Sequence, residues 1–445
     1  ILFVNAIEDG LFVMAFLLDS QNVLPYLTQL GLWSSDQFLI ALEPKLGKNF
    51  NLRVQGKTQD LLIKQEPHGL ENAPLGELLR EYRFYQLLEV FPELEVLRSQ
   101  PTLPLYFDEP HAILVFPYLP NVSDLSTFYH QYFDLQETPQ QDTDSNQATS
   151  SFVSAADVLT AEDPLIISIA SAIGQRFATL HSKSFRQAAY RAFWLETCQL
   201  EAASTTGEVE PLSEEIVPDF LLGLRRLTPD AYCVLPTDAL KFFRFYQRYP
   251  ELGEAIAQLN QSLDPCCIVH DDPRFANFLI HCTDFQKEGQ RPAHIQLIDW
   301  EKWKWGDPAY DLGKLIANYL RLWLESLPVS AHLPMAEALN QATVPLASVQ
   351  PSAAALVIAY LSHFPLILRH QPDFLRRLTQ FIGLGLIRQV QLCIAQKLPI
   401  GNVEMAMAQV GKSLLCQPSD ALATVFGQTQ EMLEAAAHAE SFNAC

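Results

Sequence analysis

Apolar and polar positions change period along the chain, and the changes predict its elements. In residues 20–45, Val23, Leu24, Tyr26, Leu27, Leu30, Leu32, Trp33, Phe38, Leu39 and Leu42 recur at helical spacing, which predicts one or two helices. Then the period shortens. Phe50, Leu52 and Val54 alternate with polar residues, Gln55-Gly56-Lys57 turns the chain, and Asp60 to Gln65 returns as a strand. Gly47 stands among the strand-like residues before Phe50, where a missing Cβ lets backbone N–H groups approach a phosphate. A plain hairpin has the same pattern. Residues 77–90 read as a helix with Leu78, Tyr82 and Tyr85 inward. The run from His111 to Pro120 reads as a strand ending in a proline-flanked turn.

Residues 135–162 are rich in Gln, Thr, Ser, Asp and Ala, which predicts a mobile surface loop. Asp163-Pro164 then opens a helix, Asp as cap and Pro at the first turn, with Ile166, Ile169, Ile173, Phe177 and Leu180 as its buried stripe. Residues 186–262 look helical, and their glutamates at 196, 201, 208, 210, 214 and 215 read as a solvated acidic segment. Further helices are expected at 315–324, 352–362, 374–397, 402–415 and 419–438.

Composition narrows the class. With 49 % hydrophobic and 18 % charged residues, the 445-residue chain is globular and large enough for more than one lobe. A net charge of −21 argues against nucleic acid and anionic membrane surfaces as partners, since both select basic patches. The 8 cysteines form no C-x-x-C pair, so neither a zinc site nor a disulfide scaffold is indicated, and a reducing cytoplasm fits best. No uninterrupted apolar run is long enough for a transmembrane helix. The apolar first residues are broken by Glu8 and Asp9 and lack a basic region, unlike a signal peptide. Residues 1–13, ahead of Met14, read as an extension expected to be poorly ordered.

The chemistry concentrates between residues 268 and 313. There the chain reads His270-Asp271-Asp272-Pro273-Arg274-Phe275-Ala276-Asn277, then Ile298-Asp299-Trp300-Glu301, then Gly306-Asp307-Pro308-Ala309-Tyr310-Asp311-Leu312. Two carboxylates and a carboxamide supply the hard oxygens that Mg²⁺ selects and a base for a hydroxyl. These motifs resemble the catalytic and metal loops of the aminoglycoside phosphotransferase and choline kinase family, which read H-G-D-x-x-x-x-N, I-D-[WF]-E and G-D-P-x-x-D-L. Asp271 stands where that pattern has Gly.

The resemblance implies an α+β, protein-kinase-like bilobal fold. Its small lobe carries an antiparallel sheet plus a helix, and its enlarged large lobe is mostly helical. On this reading residues 20–119 form a small nucleotide-binding lobe after an extension at 1–19, and 120–445 form the large lobe. It also implies an ATP- and Mg²⁺-dependent transfer of the γ-phosphate to a small-molecule hydroxyl. Asp272 matches the base, and Asn277 and Asp299 match the metal ligands. Lys64 fits the strand lysine used on the α/β-phosphates, and Glu81 its helix partner, with Glu77 as the alternative. Gly47 would lie over the phosphates, and Pro117 and Leu119 would meet the adenine by C=O and N–H. His270 would organise the loop, and Asp307 and Asp311 would cap the next helix and brace the loop. His181 reads as a packing or capping residue. Arg274 has two open assignments, the γ-phosphate or an ion pair with Asp271. Two other functions compete, a protein kinase and an inactive nucleotide-binding scaffold. The first lacks a D-F-G and an A-P-E segment, and the second sits poorly with a complete set of acids, Asn277 and Lys64.

Overall fold

The computed structural model describes residues 5–8, 11–14, 16–34, 36–45, 49–66, 76–98, 103–137, 163–204, 237–281, 295–328, 335–429 and 431. Chain contacts divide it into two compact units. The first takes residues 1–122, 186–213 and 296–305; the second takes 123–185, 214–295 and 306–445. The expected fold class holds: α+β, with an antiparallel sheet and helices in the first unit and a mostly helical second unit.

In the first unit, strands β1 (Asn5–Glu8) and β2 (Leu11–Met14) pair antiparallel, in a stretch expected to be poorly ordered. Strands β3 (Leu39–Lys45), β4 (Phe50–Gly56), β5 (Asp60–Gln65), β6 (Tyr106–Asp108) and β7 (Ile113–Pro117) form one antiparallel sheet in the order β3-β4-β5-β7-β6. Residues 20–45 therefore divide differently from expectation: only Val23–Gln29 is helical, and 39–45 is strand. Apolar residues at 39 and 42 suit a helix, but a register shift between Leu39 and Ala41 in the pairing with β4 lets both pack on the core from a strand. The core of the sheet is Leu52, Val54, Leu61, Ile63, Ile113 and Val115, packed with Val23, Leu27 and Trp33.

The helix Glu77–Val90 matches the predicted range and buries Leu78, Leu79, Phe84, Tyr85, Leu87 and Leu88. The buried Glu66 carboxylate accepts the first N–H groups of this helix, from Glu77 at 3.1 Å and Leu78 at 3.4 Å, which satisfies donors that the helix cannot. A second helix, Ala188–Ser204, braces it. Arg80 makes a forked pair with Glu201 at 2.6 and 2.5 Å, and Tyr190 donates to Glu93 at 2.9 Å. Glu201 is thus a buried ion-pair partner and not part of a solvated acidic loop. Residues 208, 210, 214 and 215 lie outside the described residues, as do 138–162 of the expected loop.

The second unit is built from long helices. Pro164–Ser184 opens as predicted, with Asp163 accepting from Leu165 N at 2.8 Å and the isoleucine–phenylalanine stripe buried. Leu346–His363 packs on it, and Pro308–Glu325 packs on both Leu346–His363 and Phe374–Ala395. Phe374–Ala395 is long and apolar enough to cross a membrane by length and composition alone, but 67 % of its apolar window is buried inside the protein. It reads as a core helix. Two short strands, Cys267–Val269 and Phe278–His281, frame the motif segment 270–277.

Candidate active-site residues

In the first unit, Lys64 collects the charges. It lies on β5, and its ammonium is 3.0 Å from Glu81 Oε2, on the helix Glu77–Val90, and 3.0 Å from Asp299 Oδ1, just after Ile295–Leu297. Glu81 is buried at 1 % exposure, so an unpaired carboxylate there would be costly. Burial pulls the Lys64 ammonium down, but the Glu81 and Asp299 charges outweigh it and hold the pKa above the usual lysine value. Burial, with Asp299 adding to it, raises the Glu81 carboxyl against the pull of Lys64. Glu77 takes no part in the pair; its N–H is held by Glu66.

Two tryptophans fix the segment carrying Asp299. Trp300 stacks on Phe84 with ring centroids 3.5 Å apart and 8° between planes, and Trp303 Nε1 donates to Arg80 O at 2.7 Å. Phe84 and Arg80 belong to the Glu81 helix, so the acid and the glutamate share one support. Glu301 accepts from Asn49 Nδ2 at 3.4 Å. Burial, then the Asp299 and Glu77 charges, push its carboxyl up to about 7. Asp299 itself has a φ of +66°, a left-handed turn.

In the second unit, the segment His270 to Asn277 is held almost entirely through its backbone. The buried Asp311 carboxylate accepts the His270 N–H at 2.7 Å and the Asp271 N–H at 2.9 Å. His270 Nδ1 accepts the Asp272 N–H at 3.2 Å, the loop-organising role expected of it. The next three carbonyls each receive a side-chain donor: Asp271 O from Lys314 Nζ, Asp272 O from Asn277 Nδ2 at 2.9 Å, and Pro273 O from Asn318 Nδ2 at 3.2 Å. Below, Phe275 packs on Tyr129 and Tyr319 at 5.2 and 4.8 Å. Asp307 caps the helix Pro308–Glu325 through Ala309 N at 3.0 Å, accepts Asp264 N at 3.0 Å, and pairs with the buried Arg377. His181 is fully buried against Tyr360 Oη at 3.0 Å and Asp311 at 3.4 Å, a packing histidine as expected.

Arg274 departs from one expectation. Its Nε lies 3.0 Å from Asp272 Oδ1, and among the described residues its ion pair is with Asp272 and not with Asp271. Asp271 sits in a left-handed turn with a φ of +63°, and Arg274, three residues beyond it, is extended. Pro117 ends β7 opposite Leu61, and the following Tyr118 N–H donates to Asp60 O at 2.9 Å, so that N–H is used within the sheet. Leu119 follows in an irregular, half-buried stretch. Gly47 lies outside the described residues.

Several supporting residues escape motif reading: Asn49, Glu66, Glu201, Lys314 and Asn318. One signal for the last two is in the sequence. Asp311, Lys314 and Asn318, followed by Arg321 and Glu325, recur at helical spacing on a helix whose other positions are mostly apolar, and such a polar stripe has to face something polar or water.

In the second unit Asn277 commits its amide nitrogen to Asp272 O, which leaves its oxygen as an acceptor of the kind Mg²⁺ selects. In the first unit Asp299 carries a carboxylate held by Lys64. Among the described residues no cluster of three or more His, Cys, Asp or Glu could hold a metal.

Residues 178–339 match the model of the phosphotransferase enzyme family (APH), a span that contains all three motifs. No curated protein matches the chain. Among solved structures, the choline kinase LicA of Streptococcus pneumoniae is 13 % identical, with 89 % of this chain and 98 % of that chain covered and a TM-score of 0.42. An ethanolamine kinase of Plasmodium vivax is 12 % identical over 88 % of this chain and 86 % of that one, with a TM-score of 0.47. A choline/ethanolamine kinase family protein of Mesorhizobium loti is 14 % identical over 90 % and 93 %, with a TM-score of 0.38.

Proposed function

We propose, from the phosphotransferase match over 178–339, that the protein transfers the γ-phosphate of ATP to a hydroxyl of a small molecule. The observation that carries this reading is Lys64. Strand lysine, helix glutamate and metal-loop aspartate come from three separate stretches of sequence, and they meet within 3.0 Å of one ammonium. A phosphoryl-transfer site needs this constellation to neutralise phosphate charge.

On this reading Asp272 orients the acceptor hydroxyl and takes its proton, with Arg274 on its Oδ1 limiting the carboxylate to one rotamer. Asn277 and Asp299 would hold Mg²⁺, which neutralises charge developing on the transferred group. Lys64 would exchange part of its hold on Asp299 for the nucleotide phosphates, with Glu81 keeping it in place. Pro117 and Leu119 would meet the adenine, and Gly47 would lie over the phosphates. A hydroxylated metabolite is the proposed partner, with no nucleic acid or membrane, in keeping with the −21 charge. A cytoplasmic setting suits the free thiols at Cys198, Cys266, Cys267, Cys393 and Cys416.

The test is ATP turnover with Mg²⁺ against a panel of hydroxylated metabolites, read by mass spectrometry for a phosphoryl gain. Wild type is expected to modify at least one acceptor, and Asp272→Ala and Asp299→Ala to lose nearly all of that activity. Undiminished turnover by Asp272→Ala would remove the mechanism. ATP binding with no transfer to any acceptor would point to a scaffold.

A further inference from the structure

We infer that Lys314 is a positioning residue for this transfer: its ammonium holds the Asp271 peptide carbonyl and so fixes the Asp272 carboxylate that follows. The inference rests on the phosphotransferase reading for its functional half. Its structural half stands alone.

Asp271 is held in an unusual backbone conformation. Its φ of +63° lies in the left-handed region, where a side chain crowds the backbone and glycine is at ease. The motif that this segment resembles has glycine at that position. A residue with a Cβ stays in such a turn only when its surroundings over-determine it. Here both faces of the residue are held. Asp311 Oδ1 takes its N–H at 2.9 Å, and Lys314 Nζ donates to its carbonyl oxygen. Asp311 and Lys314 stand one turn apart on the helix Pro308–Glu325, so one rigid element grips the peptides on both sides of the turn.

Lys314 is suited to that role and to little else. Among the described residues it has no carboxylate within 4.0 Å, and its one hydrogen bond goes to the Asp271 backbone. Its ammonium also lies 4.9 Å from the centroid of the Tyr310 ring, which limits where the side chain can swing. Burial pulls its pKa below the usual lysine value, and the charge of Asp271, then of Asp272 and Asp311, works against that pull while Arg388 adds to it. A buried lysine that gives its proton donor to a backbone carbonyl is a support for that carbonyl. The peptide so held is followed directly by Asp272, whose carboxylate is the proposed base.

The test is a double-mutant cycle on Lys314→Met and Asp271→Gly, with Lys314→Arg as the conservative variant. Two readouts are taken, Mg·ATP turnover and urea unfolding. In the wild-type background Lys314→Met is expected to lower kcat about tenfold and leave KM for ATP within about twofold, because orientation and not nucleotide binding is lost. In the Asp271→Gly background the same substitution should cost less than about threefold, since glycine holds the turn unaided. Lys314→Arg should recover part of the loss. Equal losses in both backgrounds, or a loss carried by KM, overturn the inference. If wild type turns over no substrate, the proposed function fails, and the unfolding cycle decides. Non-additivity of about threefold or more in the unfolding constant supports the clamp, and additivity overturns it.

Discussion

Arg274 Nε lies 3.0 Å from Asp272 Oδ1, an ion pair spanning a single proline. The arginine is half exposed and the aspartate nearly buried, so the pair adds little to stability but limits where the carboxylate points. Arg274→Ala is expected to leave the unfolding free energy within about 1 kcal/mol of wild type. Turnover should fall about tenfold as the proposed base loses its charge-assisted partner. Steady-state kinetics beside urea denaturation will separate the two, and a variant with full turnover would assign Arg274 to the surface.

Lys64 neutralises a carboxylate that has almost no access to water. Replacing it leaves Glu81 buried and uncompensated. Lys64→Met should therefore destabilise the protein by about 3 kcal/mol, and adding Glu81→Gln should return a large part of that loss. Chemical denaturation of the two variants checks it. A double variant no more stable than Lys64→Met would contradict the assignment of the penalty to Glu81.

Asp311 links stability to acid. Burial would raise its carboxyl, but the His181 hydrogen bond and charge, then His270, outweigh burial and bring it below the ordinary value of 3.8. A carboxyl depressed on folding contributes stability that is present above its unfolded pKa and lost as pH falls through the folded one. Asp311→Asn should therefore be less stable than wild type by about 3 kcal/mol at neutral pH. The gap should stay constant down to about pH 4 and close below it. Thermal unfolding of both proteins from pH 7 to pH 3 measures the gap, and one that widens on acidification would reverse the sign assigned here.

Gly313 permits a close helix crossing. A Cβ built there would lie 2.4 Å from Phe381 Cβ and 2.8 Å from the Phe381 carbonyl carbon, and the latter is backbone that cannot swing aside. Gly313→Ala is expected to lose about 2–3 kcal/mol by overpacking despite its better helix propensity. A rise in melting temperature would show that the helices Pro308–Glu325 and Phe374–Ala395 can separate without loss.

Local signals carried well from sequence to structure. The cap and proline at Asp163-Pro164, the helix at 77–90, and the bracing roles of Asp307 and Asp311 all rest on interactions within a few residues or on motif spacing, and they stand as read. Leu39 and Leu42 read as helical because they are three apart, and the register shift that puts both on one face of a strand leaves no local signal. For Arg274 the sequence offers the γ-phosphate or Asp271, and its pair with Asp272, across a single proline beyond the left-handed turn at Asp271, is not among these. Glu201 looked like one acid among many, since its partner Arg80 lies 121 positions away. Pairings of that range leave no periodicity to read.

The first unit draws on three separate lengths of chain, 1–122, 186–213 and 296–305. During synthesis this has an order to it. When residue 122 has emerged, the sheet and the Glu81 helix are available, but Glu201 and Asp299 do not yet exist. Phe84 then has no Trp300 to cover it, and Lys64 holds only one of its two acids. A nascent chain of this length presents an apolar helix face and a half-compensated charge until about 180 further residues are made, and surface exposed in that way is prone to aggregate. No cut at a single peptide bond can release this unit whole, and an expressed fragment ending before residue 305 is expected to aggregate.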